Sequence, residues 1–142
     1  MTNAPQPDFP ALTSAANAAA EKAYARYSRF QVGAALLLSN GEVVTGGNVE
    51  NASYGLTICA ERSALVRAIA LYGPQIRVAA VVVVNLQHSP SPPCGACRQV
   101  LAEFMAPDAP IAFPAEIDGQ LQQVITTFGH VLPYTFLFTP PQ

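Results

Sequence analysis

The chain contains only three cysteines, and their positions constrain its fold more than any other feature. Cys59 stands alone, whereas Cys94 and Cys97 form a Cys-x-x-Cys pair farther along the chain. Each cluster begins a stretch with helical spacing. The three thiols can therefore meet if two helices point their N-termini at one place, where free N–H groups and the helix dipole favour thiolates. We predict a zinc site with these three ligands and one open position for water.

Glu61 follows the first cysteine at a spacing that suits proton transfer. Residues two apart within a helix point to nearly opposite sides, so Cys59 and Glu61 can share one metal only if Cys59 lies at the helix mouth. A Cys-x-Glu followed by Pro-Cys-x-x-Cys resembles the signature of zinc-dependent deaminases, in which the glutamate is the general acid and base. We expect desolvation under a bound base to raise the pKa of Glu61 toward neutrality.

Two arginines lie next to the proposed ligands. Three thiolates and Zn²⁺ together carry a net charge of −1, which makes the metal a weaker Lewis acid than one with neutral histidine ligands. A positive group should offset this charge. We predict that Arg62, Arg98 or both donate hydrogen bonds to the thiolates.

Other interpretations of the cysteines remain open. Cys94 and Cys97 could form a redox pair, although this leaves Cys59 and Glu61 unexplained. A closed structural zinc site needs a fourth ligand, and in a chain with only three cysteines His88 or His130 would have to supply it. The odd number of cysteines and the lack of a secretory signal disfavour a disulfide framework.

Four sequence blocks, in order, resemble the small cytidine deaminases of pyrimidine salvage. They contain the patterns Tyr-Ser-x-Phe-x-Val-Gly-Ala-Ala-Leu, Asn-Val-Glu-Asn-Ala-x-Tyr, Pro-Cys-Gly-Ala-Cys-Arg-Gln-Val-Leu and Leu-Pro-x-x-Phe. The blocks occupy residues 25–36, 47–62, 93–104 and 132–136. The chain departs from the family after residue 136, where an apolar, proline-rich end replaces the acidic tail common in relatives.

The resemblance implies an enzyme and its chemistry. The expected reaction is zinc-dependent hydrolytic deamination of cytidine, and of 2′-deoxycytidine, to uridine or deoxyuridine and ammonia, with one zinc ion per chain. The alternatives are a deaminase of another nucleoside or base, such as a nucleoside antibiotic, and a non-catalytic structural zinc module. The blocks that contain Phe30, Asn48 and Glu50 favour a ribonucleoside as substrate. Glu61 favours catalysis, because a structural module has no need of this glutamate.

The resemblance also implies how a nucleoside is held. Phe30 would pack beside the base, Asn48 and Glu50 would bind the ribose hydroxyls, and the backbone at Ala60 and Cys94 would touch the pyrimidine edge. An amide and a carboxylate two residues apart lie on one side of an extended strand, which suits a vicinal diol. Considered without the resemblance, Asn48 and Glu50 could equally cap a turn, and Phe30 could be a core residue.

The resemblance further implies a homotetramer with shared active sites, as in the small three-cysteine members of the family. Ala52 and Tyr54 would complete a neighbouring subunit's site, and Phe136 would cap one. Charged residues make up only 11% of the chain, so a monomer would expose much uncharged surface. Burial of that surface in an oligomer is the expected result.

Charge and hydropathy bound the remaining partners. The net charge is −2 and no lysine or arginine cluster occurs, which disfavours nucleic-acid binding. No apolar run reaches the length of a membrane span. Thiols that must stay reduced suit the cytoplasm.

We predict one domain, residues 1–142, along which helices and strands alternate. Its first residues, 1–10, are expected to form a loose leader. Helices are expected at 11–26, 60–71 and 94–105, with a short one near Pro133. Strands are expected at 32–38, 43–45, 78–84, 111–113 and 121–126, with turns at Asn40-Gly41 and Asp118-Gly119. A hairpin followed by β-α-β alternation indicates an α/β fold with three α/β/α layers: a mixed five-stranded sheet with helices on both faces.

Overall fold

The computed structural model describes residues 4–142, which form a mixed five-stranded sheet, as predicted. The elements in chain order are α1 (Phe9–Ala20), β1 (Val32–Leu38), β2 (Val43–Gly47), a 3₁₀ turn (Tyr54–Leu56), α2 (Ala60–Tyr72), β3 (Val78–Asn85), α3 (Gly95–Ala102), β4 (Pro110–Ile117), β5 (Gln120–Thr127) and α4 (Phe128–Val131). The strand order is β2-β1-β3-β4-β5, in which β3 and β4 are parallel and the other neighbours antiparallel. The central position predicted for β3 is confirmed.

Helices cover both faces of this sheet. On one face, α1 buries Leu12 and Ala16 in a cluster with Val82 of β3. On the other face, Leu65 of α2 and Leu101 of α3 belong to a larger apolar cluster. Because β3 is covered on both sides, its sequence is apolar from Val78 to Val84 instead of alternating. No helix within residues 4–142 is long and apolar enough to cross a membrane.

Both predicted hairpin turns are confirmed. Gly41, between β1 and β2, has φ +89°, and the Asn40 side chain accepts a hydrogen bond from the amide of Glu42. Asp118 and Gly119, between β4 and β5, have φ of +52° and +77°. Positive φ at both central residues gives the backbone twist that matches a two-residue hairpin.

The first helix begins earlier than predicted. Asp8 is its N-cap, and the side chain accepts a hydrogen bond from the amide of Ala11 at 3.0 Å, so the helix starts at Phe9. The end of the predicted leader, 1–10, is therefore wrong. Its first part, 1–3, lies outside the described residues.

The same helix also ends earlier, at Ala20 instead of Arg26. The amide of Tyr24 donates to the carbonyl of Asn48 at 2.9 Å, and the amide of Glu50 donates to the carbonyl of Tyr24 at 2.8 Å. These non-local bonds commit the chain to an extended conformation and override its local helical preference.

Helix α3 is shorter than the predicted 94–105. Cys94 is the N-cap and not a helical residue, and the helix ends at Ala102. Beyond it, the carbonyl of Phe104 accepts a hydrogen bond from the amide of Val78, so this segment joins the start of β3.

The last strands are longer than predicted, and the last helix lies elsewhere. Strands expected at 111–113 and 121–126 pair continuously from Pro110 and Thr127 to the turn. The short helix expected near Pro133 is instead α4, which ends before that residue. The strand ends contain proline, glutamine and threonine, which carry little apolar pattern.

Gly33 permits the close contact between α1 and β1. A Cβ atom at this position would lie 1.9 Å from the carbonyl oxygen of Ala16 and 2.7 Å from the amide nitrogen of Ala20. We predict that Gly33→Ala lowers the free energy of unfolding by about 1–3 kcal/mol, because helix and strand must separate. The midpoint of urea unfolding measures this. Gly55→Ala is the matched control, since nothing lies within 4 Å of its added Cβ; equal midpoints for the two variants would contradict the prediction.

Candidate active site

Two helix N-termini hold the three thiols. Cys59 is the N-cap of α2 and Cys94 the N-cap of α3, both with extended backbone, and Cys97 lies in the first turn of α3. The Sγ atoms of Cys59 and Cys94 are 3.8 Å apart, and all three Sγ atoms lie within 4.8 Å of one another. The structure thus brings together the three residues proposed as ligands and places Cys59 at the N-cap of α2.

The thiols share protons unequally. A hydrogen bond from the Cys97 thiol, together with Arg62, lowers the pKa of Cys59 to about 5. The same hydrogen bond, followed by burial, raises the pKa of Cys97. Within the cluster, the thiolate form is therefore favoured at Cys59 over Cys97. A divalent metal that binds here displaces the remaining protons.

Arg62 supplies the positive charge that the sequence argument required. Its Nη2 donates to Sγ of Cys59 at 3.4 Å, and hydrogen bonds to Cys59 and Cys97 raise its pKa. Its Nε is buried and has no hydrogen-bond partner within residues 4–142, so donor capacity remains beside the sulfur atoms. Soft thiolate ligands and an adjacent guanidinium fit zinc.

Arg98 takes a different position. Its Nε donates to the carbonyl of Pro93 at 2.7 Å, and its Nη1 donates to the carbonyl of Val131 at 2.6 Å. Of the two arginines proposed as thiolate partners, Arg62 thus makes the contact, whereas Arg98 ties the residue before Cys94 to α4. A sequence shows that both arginines lie near cysteines, but not which backbone carbonyls come within their reach.

A cavity of about 210 Å³ opens beside the thiols. Cys59, Glu61 and Cys94 form part of its wall. The other lining residues are Phe30, Val32, Asn48, Thr57, Ala60, Val83, Ser91 and Pro92. A larger groove of about 390 Å³ lies around Val78 at the other end of β3, and none of the three cysteines lines it. The smaller cavity is therefore the candidate active site.

Glu61 is buried in the wall of this cavity, with only 4% of its surface exposed. Burial raises its pKa, and the neighbouring Cys59 thiolate acts in the same direction. The shift has the direction that the sequence predicted. A carboxyl group with a raised pKa holds a proton more readily than an exposed one, which suits a group that must accept and return protons.

Asn48 and Glu50 are anchored to the backbone before and at the start of β1. Asn48 lines the cavity; its Oδ1 accepts from the amide of Val32 at 2.9 Å, and its Nδ2 donates to the carbonyl of Phe30 at 2.8 Å. The Glu50 carboxylate accepts from the amides of Tyr27 and Ser28. The alternative in which Asn48 and Glu50 cap backbone groups is thus realised. The backbone that they cap lies before and at the start of β1 and not in a local turn.

The residues assigned to a neighbouring subunit's site lie on the surface. Tyr54 is 72% exposed and Phe136 73% exposed; Ala52 is exposed as well, and none of the three lines the cavity. Within one chain they therefore do not meet the thiols.

Neither histidine joins the cysteines. Within residues 4–142, the three thiols are the one group of at least three potential metal ligands, and it includes neither His88 nor His130. His88 lines a separate cavity near Gln123. Within residues 4–142 this group therefore lacks the fourth protein ligand of a closed structural zinc site, which favours an open position.

Known proteins resemble this chain in sequence. Residues 9–112 match the family model described as cytidine and deoxycytidylate deaminase zinc-binding region. A cytidine deaminase of Halalkalibacterium halodurans is 50% identical over 119 residues, which are 83% of this chain and 86% of that protein. A cytidine deaminase of Mycobacterium tuberculosis is 52% identical over 99 residues, 70% of this chain and 73% of that protein.

Solved structures show the same fold. The crystal structure of cytidine deaminase from Mycobacterium tuberculosis superposes with a TM-score of 0.77 at 39% identity, over 94% of this chain and 100% of that one. The structure from Burkholderia pseudomallei gives 0.75 at 48% identity, over 89% and 98%.

The fold is a mixed five-stranded sheet covered by helices, and three thiols and a buried carboxyl group lie at the N-termini of two of these helices. This combination is that of an α/β zinc deaminase. The family match and the identities above then narrow the class. The chain belongs to the cytidine and deoxycytidylate deaminase family.

Cys97→Ala should remove the metal and weaken the fold. A metal held by Cys59, Cys94 and Cys97 joins two helix starts that are distant in sequence, so its binding energy becomes folding energy. We expect close to one zinc per chain in the parent protein by elemental analysis, little in the variant, and a lower Tm. Chelator treatment of the parent should reproduce the lower Tm. Full zinc occupancy in Cys97→Ala would mean that the ligands are misassigned.

Proposed function

We propose that this protein catalyses the hydrolytic deamination of cytidine and 2′-deoxycytidine to uridine or deoxyuridine and ammonia. The observation that carries this proposal is the Glu61 carboxyl group, buried in the wall of a cavity that the metal-binding thiols also line. A structural zinc module would not need this buried titratable group. The direct test is the absorbance of purified protein mixed with cytidine, deoxycytidine, adenosine and guanine, of which the first two should react.

Glu61 performs the proton transfers in this mechanism. When bound, zinc supplies Lewis-acid activation of the attacking water. Glu61 in its ionised form takes a proton from that water as the C4–O bond forms. It passes this proton to N3, then takes the proton of the new C4 hydroxyl group and delivers it to the amino group, which leaves C4 as ammonia while the C4 carbonyl forms. Burial suits the residue to this exchange, because it brings the protonated and ionised forms closer in free energy.

The cavity offers an apolar wall and a polar rim for a nucleoside. Phe30 would pack beside the base, and the backbone at Ala60 and Cys94, at the two helix starts, would touch the pyrimidine edge. Asn48 and Glu50 would receive the ribose hydroxyls. Support comes from the cavity lining, which includes every one of these residues except Glu50.

We further propose that the protein is a homotetramer with shared active sites. Support comes from large apolar side chains on the surface of the single chain, among them Tyr54, Leu56, Tyr134, Phe136 and Phe138. Closed symmetry is the usual result when like chains cover such surfaces. Ala52, Tyr54 and Phe136 would then reach a neighbour's cavity. We place the enzyme in cytoplasmic pyrimidine salvage, where the zinc thiols stay reduced.

Glu61→Gln should nearly abolish turnover while leaving zinc content and Tm unchanged. One placed proton-transfer group contributes roughly 10²–10⁴ in rate, and Glu61 serves more than one step. Steady-state rates with cytidine measure the loss of turnover. Glu21→Gln is the control, because Glu21 is exposed and lines none of the cavities described above. Turnover within tenfold of the parent would refute the role of Glu61.

Mixing two inactive variants should restore activity if sites are shared. Glu61→Gln removes the general acid and base, whereas Phe136→Ala removes the side chain that would reach a neighbouring subunit's cavity. Reassembled mixed oligomers would contain some sites with an intact Glu61 from one chain and an intact Phe136 from another. Mixing Glu61→Gln with Cys97→Ala should restore nothing, because both changes affect the same half of the site. An active monomer by light scattering at micromolar concentration would rule out sharing.

A further inference from the structure

Ser28 connects two of the residues proposed to hold the nucleoside. Its Oγ donates to Oε2 of Glu50 and accepts a hydrogen bond from the amide of Phe30 at 3.0 Å. A hydroxyl group has one hydrogen, and the amide can only donate. The hydrogen of Ser28 is therefore committed to the Glu50 carboxylate.

With this hydrogen bond, most of the acceptor positions of the Glu50 carboxylate are occupied. Oε1 of Glu50 already accepts from the amides of Tyr27 at 2.9 Å and Ser28 at 3.1 Å. A carboxylate offers about four acceptor positions, so with Ser28 bound on Oε2 roughly one position remains, also on Oε2. Hydrogen bonding by Ser28 is the largest cause that lowers the pKa of Glu50, so the group remains an acceptor at neutral pH.

The segment that carries Ser28 depends on such contacts for its shape. Arg29 has φ +58°, in the left-handed region that non-glycine residues rarely occupy, and its amide donates to the carbonyl of Ala25 at 2.8 Å. The side chain of Phe30, the next residue, lines the active-site cavity. A tight turn thus places Ser28 between the carboxylate of Glu50 and the cavity wall.

We propose that Ser28 is a positioning residue for sugar recognition, whose hydroxyl holds the Glu50 carboxylate so that one acceptor position on Oε2 is left for a single sugar hydroxyl. The inference rests on the proposed function, because it takes Glu50 as the group that meets the ribose. Ser28 itself touches no substrate in this scheme. Loss of its hydroxyl should therefore weaken the recognition of sugar hydroxyls and leave the chemistry at C4 intact.

The test compares cytidine with 2′,3′-dideoxycytidine, which lacks both ring hydroxyls. We measure kcat/KM for the two substrates on one preparation, so that their ratio does not depend on the fraction of active protein. In Ser28→Ala the preference for cytidine should fall about tenfold relative to the parent, the effect of one hydrogen bond to a charged group. The fall should lie mainly in KM for cytidine. Ser28→Thr keeps the hydroxyl and should restore the preference.

Ser39→Ala is the matched control. The hydroxyl group of this exposed serine, at the β1–β2 turn, also donates a hydrogen bond, but to the carbonyl of Arg77. A ratio within twofold of the parent in Ser28→Ala, or equal losses for both substrates, would overturn the proposal. If the parent shows no turnover, the proposed function fails instead. Calorimetry with uridine and 2′,3′-dideoxyuridine then decides the role of Ser28: a loss of binding confined to uridine in Ser28→Ala supports it, and any other pattern overturns it.

Discussion

The meeting of three sulfur atoms at the starts of α2 and α3 determines where everything else in the site can lie. Cys59 and Cys94 cap the two helices, so one contact fixes the relative position of two elements that flank β3 in the sequence. Like charges would oppose this contact if all three thiols ionised without compensation. Arg62, a hydrogen bond between thiols, and finally zinc each remove part of that repulsion.

Glu61 follows from the same constraint. With Cys59 at the N-cap, Glu61 is the second residue of α2, where the helix is just beginning and the side chain can reach the wall of the cavity. Burial next to a thiolate disfavours the ionised form of Glu61, so this position favours a carboxyl group that can hold a proton. The local geometry that brings the three thiols together is thus also the geometry that the proposed acid–base role of Glu61 requires.

Sequence reasoning succeeded where a pattern was dense and failed where tertiary contacts decided. The uninterrupted apolar run in β3 and the Asn40-Gly41 turn specify their structures locally. The end of α1 does not, because it depends on the pairing of Tyr24 with Asn48 and Glu50. Arg98 and Ser28 show the same limit at the site. Arg98 donates to the carbonyl of Val131 and Ser28 to the carboxylate of Glu50, and a motif does not show partners so distant in sequence.

The anchoring of Asn48 and Glu50 has a consequence for redesign of the substrate range. These side chains bind the backbone of residues 27–32, so a substitution at either position would leave several backbone groups without partners. Under the proposed role of Asn48 and Glu50, sugar preference would therefore depend on the whole segment and not on separate positions. A library that aims to accept a different sugar should vary this segment together with residues 48 and 50, because single exchanges would first be selected against through poor folding.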